Sequence, residues 1–233
     1  MSQRARPNFI LLFHLTVSLF GLLTTLMLAL RMPKVHKSSF PTKPMIGTLF
    51  SLICVFGLLA ALLPRRCSRG FHFTKKNTKK AVADTSAVSI RGHHPDCEGF
   101  SDHVIRVDNH VMCAACVGLS LGALISLTGT IFYFFLGWNI SETSLPAVFI
   151  GVLGVAVGFI QMRFKGFLRS ALNATFVVGS FLVLIGVCEQ TQSPFASLFV
   201  IFLIVFWILT RILLSQSDHN RICRNCKSPC EIY

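Results

Sequence analysis

The first group of residues that could do chemistry is a cysteine–histidine cluster in the middle of the chain. It consists of Cys97, His103, Cys113 and Cys116. Zinc takes four Cys or His ligands in a tetrahedron, and a Cys-x2-Cys pair supplies two of them with little chain strain. Cys113 and Cys116 also lie where an apolar helix is predicted to begin, and the positive end of a helix favours the thiolate form that binds metal. This cluster therefore predicts a zinc site.

A second cluster near the C-terminal end of the sequence contains His219, Cys223, Cys226 and Cys230. A segment this short has little other means of burying a core, and metal binding would order it. Zinc is the favoured metal for both clusters because thiolate and imidazole ligands suit it, whereas an iron–sulfur centre is less favoured. The second cluster therefore predicts that metal also orders the C-terminal segment.

The spacing leaves two arrangements of the ligands open. Each cluster forms a separate site of Cys3His type, or Cys113 and Cys116 join Cys223 and Cys226 in one shared four-cysteine site. Two interpretations without metal are also open. One is a redox dithiol, because a Cys-x2-Cys at a helix start resembles a redox motif, and the other is a set of plain thiols.

The elements that must position these clusters are membrane-spanning helices. Hydrophobic residues make up 53% of the chain and charged residues only 13%, against about 25% charged residues in a typical soluble domain. Runs of about 18 apolar residues cross the hydrocarbon core of a bilayer, where only a helix satisfies its own backbone. Six such runs are Phe9–Leu30, Met45–Leu63, Cys113–Trp138, Leu145–Met162, Ser170–Cys188 and Pro194–Thr210. The sequence thus predicts an all-α integral membrane six-helix bundle with a small cytoplasmic Cys/His metal-binding module.

The distribution of basic residues predicts the orientation of the bundle. Loops 139–144 and 189–193 contain no Lys or Arg, whereas loop 64–112 and the region after residue 210 are rich in both. A multi-pass cell-membrane protein with both termini in the cytoplasm is therefore expected. Its segments are a two-helix transmembrane hairpin (1–63), the basic loop (64–112), a four-helix region (113–214) and a Cys-rich tail (215–233). The first run is expected to stay in the protein as a membrane span and not to be a cleaved signal peptide. Four basic residues between the first two runs, Lys43 among them, fall on the outer side and so do not follow the positive-inside rule.

The lipid bilayer is the first expected partner. The basic stretch Arg65–Lys80 predicts contact with anionic lipid headgroups, which attract Lys and Arg close to a membrane surface. Nucleic acid is not an expected partner, because positive-inside bias alone accounts for the net charge of +13. A protein partner or a second copy of the chain is the further expectation.

Small residues in the apolar runs predict close helix packing inside the bundle. Gly118 and Gly122 are spaced by four residues in the third run, and Gly151, Gly154 and Gly158 recur in the fourth. Such spacing lets helix backbones approach each other closely. His14, which lies well inside the first run, is predicted to pack against a neighbouring helix.

The segment Gly92–Gly122 resembles a group of uncharacterised prokaryotic, mainly archaeal, polytopic membrane proteins. The resemblance is carried by Gly92-His93-His94-Pro95-Asp96-Cys97 with His103 downstream, followed by Cys113-Ala114-Ala115-Cys116-Val117-Gly118 leading into a glycine-rich helix. It implies common ancestry and a multi-pass membrane fold, and it implies no known reaction. The second cysteine cluster lies outside the segment that carries it.

Three functions are compatible with these patterns. The leading hypothesis is a protein without catalytic activity, in which structural zinc makes the loop and tail a rigid platform for a protein partner. The alternative is a membrane-embedded metal- or thiol-dependent enzyme acting on a lipid or membrane-bound substrate, with His93, His94, Asp96 and His103 as its test residues. The third is a metal-gated channel or carrier, which the scarcity of ionisable residues in the runs does not favour.

Overall fold

The computed structural model describes residues 9–31, 42–62, 90–91, 103–107 and 110–225. Its six α-helices are α1 (Phe9–Arg31), α2 (Thr42–Leu62), α3 (Ala114–Thr130), α4 (Ser144–Phe159), α5 (Gly166–Thr191) and α6 (Pro194–Asn225). A π-helical turn, Ile131–Phe135, extends α3, and a 3-10 turn, Gln161–Arg163, precedes α5. Three short strands are β1 (Ile90–Arg91), β2 (Val104–Val107) and β3 (His110–Cys113).

Each of the six apolar runs in the sequence forms a helix, as predicted. Within the described residues, five helices are long and apolar enough to cross a membrane, which makes a multi-pass membrane protein the natural interpretation. The exception is α4, whose 16 residues span only about 24 Å at 1.5 Å per residue. The predicted fourth span was therefore too long, because the chain leaves the α-helix at Phe159 and turns before α5.

The helices alternate in direction, so the bundle has two distinct ends. Gly118 of α3 lies against Asn173 of α5, and further along both helices Gly129 lies against Phe181, so α3 and α5 run in parallel. We call the end at which these two helices begin, where Cys113 lies, the cysteine end.

α6 ends at the same cysteine end, where Asp218 contacts Arg169. α1 runs antiparallel to α6 and begins at this end, because Ser18 contacts Thr210 whereas Gly21, one turn further along α1, lies against Leu203.

The glycines of α4 pack closely against α5, as the sequence predicted. A Cβ atom built at Gly151 would lie 2.6 Å from the carbonyl oxygen of Gly179, and one at Gly158 would lie 2.6 Å from Phe176. Contacts this short leave room for glycine only, so the two helices are held at close range. As a result α5 is the most buried of the membrane-crossing helices.

α1 packs against α6 through polar side chains near the cysteine end. The hydroxyls of Ser18 and Thr210 are 2.8 Å apart, and the Trp207 indole N–H donates to the Ser18 carbonyl at 3.3 Å. His14 stacks on Phe206 with ring centroids 4.9 Å apart, which confirms that this histidine packs against a neighbouring helix. The opposite faces of α1 and α2 are strongly apolar and exposed, as expected for surfaces that face lipid.

A small three-stranded sheet leads directly into α3 through β3, and the all-α prediction did not include it. β3 is its central strand, paired in parallel with β1 and antiparallel with β2. The strands are too short to stand out as alternating patterns, and β1 comes from a distant part of the basic loop. Long-range pairing of this kind leaves little local trace in a sequence.

The final helix, α6, is longer than a membrane requires. Its 32 residues extend for about 48 Å, against about 30 Å of hydrocarbon. The segment from 215 to 225, assigned to a separate tail from the sequence, therefore continues α6 beyond the span. This extension carries Asp218 and His219 to the cysteine end of the bundle.

Candidate functional site

The Cys-x2-Cys pair lies at the junction of β3 and α3. Cys113 is the last residue of β3 and the N-cap of α3, where its extended backbone ends the strand. Its thiol and that of Cys116, one turn into the helix, are within hydrogen-bonding contact. Cys113 is buried and Cys116 is partly exposed, and neither is in a disulfide. The pair is therefore a preformed dithiol at a helix N-terminus.

The pairing of β2 with β3 places His103 beside this dithiol. Val104 is opposite Cys113 in the antiparallel register, so the preceding residue, His103, lies next to the end of β3. The side chain of His103 is buried. Two predicted ligands that are ten residues apart in sequence are thus neighbours because the sheet folds the loop back on itself.

Residues of α5 and α6 form a charged network around His103. The Oδ2 atom of Asp218 lies 3.7 Å from Nη2 of Arg169 and 3.6 Å from Nε2 of His103. Arg169 is almost completely buried and also donates to the sulfur of Met162 at 3.2 Å. A buried guanidinium is costly unless it is paired, so Asp218 stabilises Arg169 and links α6 to α5.

A second buried arginine, Arg211, faces the two cysteines from α6. It donates a hydrogen bond to Oδ1 of Asn173, and its guanidinium lies 5.8 Å from the centre of the Phe176 ring. Both cysteines and Arg169 are close enough to interact with it electrostatically. Arg211 therefore points into the bundle, where Oδ1 of the fully buried Asn173 accepts its hydrogen bond.

The structure brings one histidine of each predicted cluster together at one end of the bundle. The rings of His103, from the loop, and His219, from α6, have centroids 6.0 Å apart. Cys223 belongs to the last turn of α6, although its side chain is not described, and Cys97, Cys226 and Cys230 lie outside the described residues. In the part of the chain that is described, no group of three His, Cys, Asp or Glu side chains is arranged to hold a metal ion.

The charged and amide side chains at this end of the bundle were not predicted from the sequence to lie close together. Arg169, Asn173, Arg211 and Asp218 lie on α5 and α6, and they face one another only after the helices pack. The available signal was Asn173 inside an apolar run and Arg211 directly after one, because polar residues at such positions usually face the interior of a bundle.

The opposite end of the bundle carries a second polar group that the sequence did not reveal. Oε2 of Glu189 accepts a hydrogen bond from the Tyr133 hydroxyl at 2.7 Å and lies 3.3 Å from Nζ of Lys43. The π-helical turn allows two consecutive residues, Tyr133 and Phe134, to be buried side by side. Lys43, an exception to the orientation rule, thus has a specific partner that joins α2 to α5.

We expect Glu189→Gln to lower the free energy of unfolding by about 1–3 kcal/mol, because a neutral amide no longer pairs with Lys43. Unfolding in detergent micelles, with Lys43→Met and the double variant completing a cycle, measures this coupling. The two effects should be less than additive, because both variants break one contact. Strict additivity would show that the contact does not contribute to stability.

No family model, curated protein or solved structure matches this chain. The resemblance carried by Gly92–Gly122 therefore stays a prediction. The class of protein that the fold indicates is a helical, multi-pass membrane protein with a Cys-x2-Cys pair at one end of its bundle.

Proposed function

We propose that this chain is a multi-pass membrane protein whose cysteine end holds zinc in the cytoplasm and acts as a rigid platform for a protein partner. The observation that carries the proposal is the meeting of His103, from the loop, with His219, from α6, beside the Cys113–Cys116 pair. These residues come from segments more than a hundred positions apart. A metal ion between them would fix the loop to the last helix.

The donor chemistry at this end favours zinc. Cys113 and Cys116 supply two adjacent sulfurs, and His103 and His219 supply imidazoles, which together make the ligand types of structural zinc sites. The convergence of loop and last helix favours one shared site over two separate sites. Cys223 follows His219 by four residues, about one turn of α6, and is the next ligand to test.

The positive surroundings suit a metal that is bound through thiolates. Arg169 and Arg211 lie close to the cysteines, and cationic side chains favour the thiolate form of cysteine that binds metal. The cytoplasmic orientation rests on the basic residues of the sequence. A cytoplasmic setting also keeps thiols reduced and available for metal.

The test of this proposal is the zinc content of the purified chain by elemental analysis. We expect about one zinc per chain if the site is shared, and its loss in both Cys113→Ser and Cys223→Ser, because a site missing one thiolate binds far more weakly. Cys54→Ser is the matched control, since Cys54 is buried in α2 away from the site and should leave the zinc content unchanged. A chelator should lower the melting temperature of the wild type while its helix content persists.

Two results would contradict the proposal in different ways. Wild-type protein without zinc, and with the same melting temperature in the presence and absence of chelator, would exclude a structural metal. Two zinc ions per chain, one of which is lost in each cysteine variant, would show separate sites and would remove the metal link between the loop and α6.

A further inference from the structure

The cysteine end contains more buried positive charge than its described carboxylates can neutralise. Arg169 and Arg211 are both at least nine-tenths buried and lie close enough to repel each other. Asp218 is the carboxylate in contact with this pair, and it faces Arg169. Among the described residues, Arg211 contacts a neutral amide and an aromatic ring, and its buried Nε–H has no acceptor.

The backbone adds to this positive potential. α3 begins at Ala114 and α5 begins at Gly166, and both N-termini lie at the cysteine end. A helix N-terminus carries about half a positive charge, which disfavours a basic residue in the first turn. Arg169 nevertheless lies in the first turn of α5 and is buried there. An arrangement of this kind is stable when an anion offsets the charge.

We infer that Arg169 and Arg211 form a binding site for a phosphate group. The guanidinium group is a planar fork of N–H donors that matches the oxygens of phosphate, and two such forks can share one phosphate. The buried Nε–H of Arg211 has no acceptor among the described residues, and one phosphate oxygen would accept its hydrogen bond. This inference goes beyond the proposed zinc platform and does not depend on it.

Residues beside the two arginines border solvent at the cysteine end. The Asp218 side chain, 3.7 Å from Arg169, keeps 20% of its surface exposed, and Cys116 is also partly exposed. Two sources of phosphate meet this end of a membrane protein, namely the headgroup of an anionic lipid and free phosphate in solution. The chemistry of recognition is the same for both, so the experiment must separate them.

The test is the melting temperature of the full chain in phosphate-free detergent, titrated either with inorganic phosphate or with phosphatidic acid in the micelles. Ionic strength is held constant with sodium chloride. Saturating ligand should raise the melting temperature by about 5–10 °C. A rise with inorganic phosphate identifies a soluble ligand, and a rise with phosphatidic acid alone identifies a lipid headgroup.

Variants of Arg211 test whether the phosphate response comes from this site. Arg211→Met should abolish the response, and Arg211→Lys, which keeps a cation and protects the fold, should weaken binding at least tenfold because the fork is lost. Arg163→Met is the matched control, since Arg163 is exposed at the same end and should respond like the wild type. The same titration on chelator-treated wild type separates this inference from the metal proposal, because the phosphate response should persist when no zinc is bound.

The inference is overturned if neither ligand raises the melting temperature of the wild type, or if the response is equal in wild type and Arg211→Lys. In the first case a thiolate of the Cys113–Cys116 pair is the internal counter-charge of Arg211. The Cys113→Ser/Cys116→Ser double variant tests this directly. If the inference is correct, that variant keeps the phosphate response.

Discussion

Gly118→Ala should lower the free energy of unfolding by about 3 kcal/mol or more, which is the largest effect expected from a single methyl group in this chain. A Cβ atom at this position would overlap the carbonyl oxygen of Ser170 and lie 2.8 Å from the side chain of Asn173. The Ser170 carbonyl belongs to the backbone of α5, so it cannot rotate out of the way as a flexible side chain could. The contact would therefore push α3 away from α5 and carry Cys113 and Cys116 away from Arg169.

Gly57→Ala is the matched control for this substitution. A Cβ atom at Gly57, an exposed position in α2, meets no atom within 4 Å. This variant should be neutral or more stable by up to about 1 kcal/mol, because alanine favours a helix over glycine. Thermal unfolding of both variants in the same micelles measures the difference. Equal stability of the two would mean that α3 and α5 are not in close contact at Gly118.

The second large effect is expected from Asp218→Asn, which keeps the shape of the side chain and removes its charge. Arg169 then has no carboxylate partner among the described residues, and it stays buried beside Arg211. Leaving a buried charge unpaired costs about 3–5 kcal/mol. Since Asp218 is one-fifth exposed, we expect a loss of about 2–3 kcal/mol in the free energy of unfolding.

Chemical unfolding of Asp218→Asn, compared with the exposed-site variant Glu142→Gln, is the appropriate measurement. Glu142 lies in an exposed turn, so its variant should change stability by less than about 0.5 kcal/mol. If Asp218→Asn is as stable as Glu142→Gln, the ion pair seen between α5 and α6 does not hold those helices together. Reduced zinc content in a stable Asp218→Asn protein would assign Asp218 to the orientation of His103.

The helices and much of their packing could be predicted from the sequence. The apolar runs predict helices because a backbone in lipid must satisfy its own hydrogen bonds, and this requirement is local. Gly118 and Gly151 could be assigned to packing surfaces for a similar reason, since small residues at helical spacing mark close approach. The limits of α4 and α6 could not be predicted, because composition does not show where a helix leaves the membrane.

The candidate site was predicted only in part. The Cys113–Cys116 pair is recognisable because both residues lie within one helical turn. The proximity of His103 to His219, in contrast, depends on a sheet formed by short strands and on an extension of α6. These contacts join segments far apart in sequence, and single-residue patterns carry no record of them.

By itself, the sequence determined that this is a helical membrane protein and that its thiols and imidazoles occur in two groups. Composition and spacing suffice for that, because the bilayer selects for apolar length and a Cys-x2-Cys pair is close by covalent connection. Only the tertiary structure decided that His103 of one group lies beside His219 of the other and that Arg169 and Arg211 are buried at the same end of the bundle. Charge and ligand partners are set by which helix faces touch, and that depends on packing across the whole bundle.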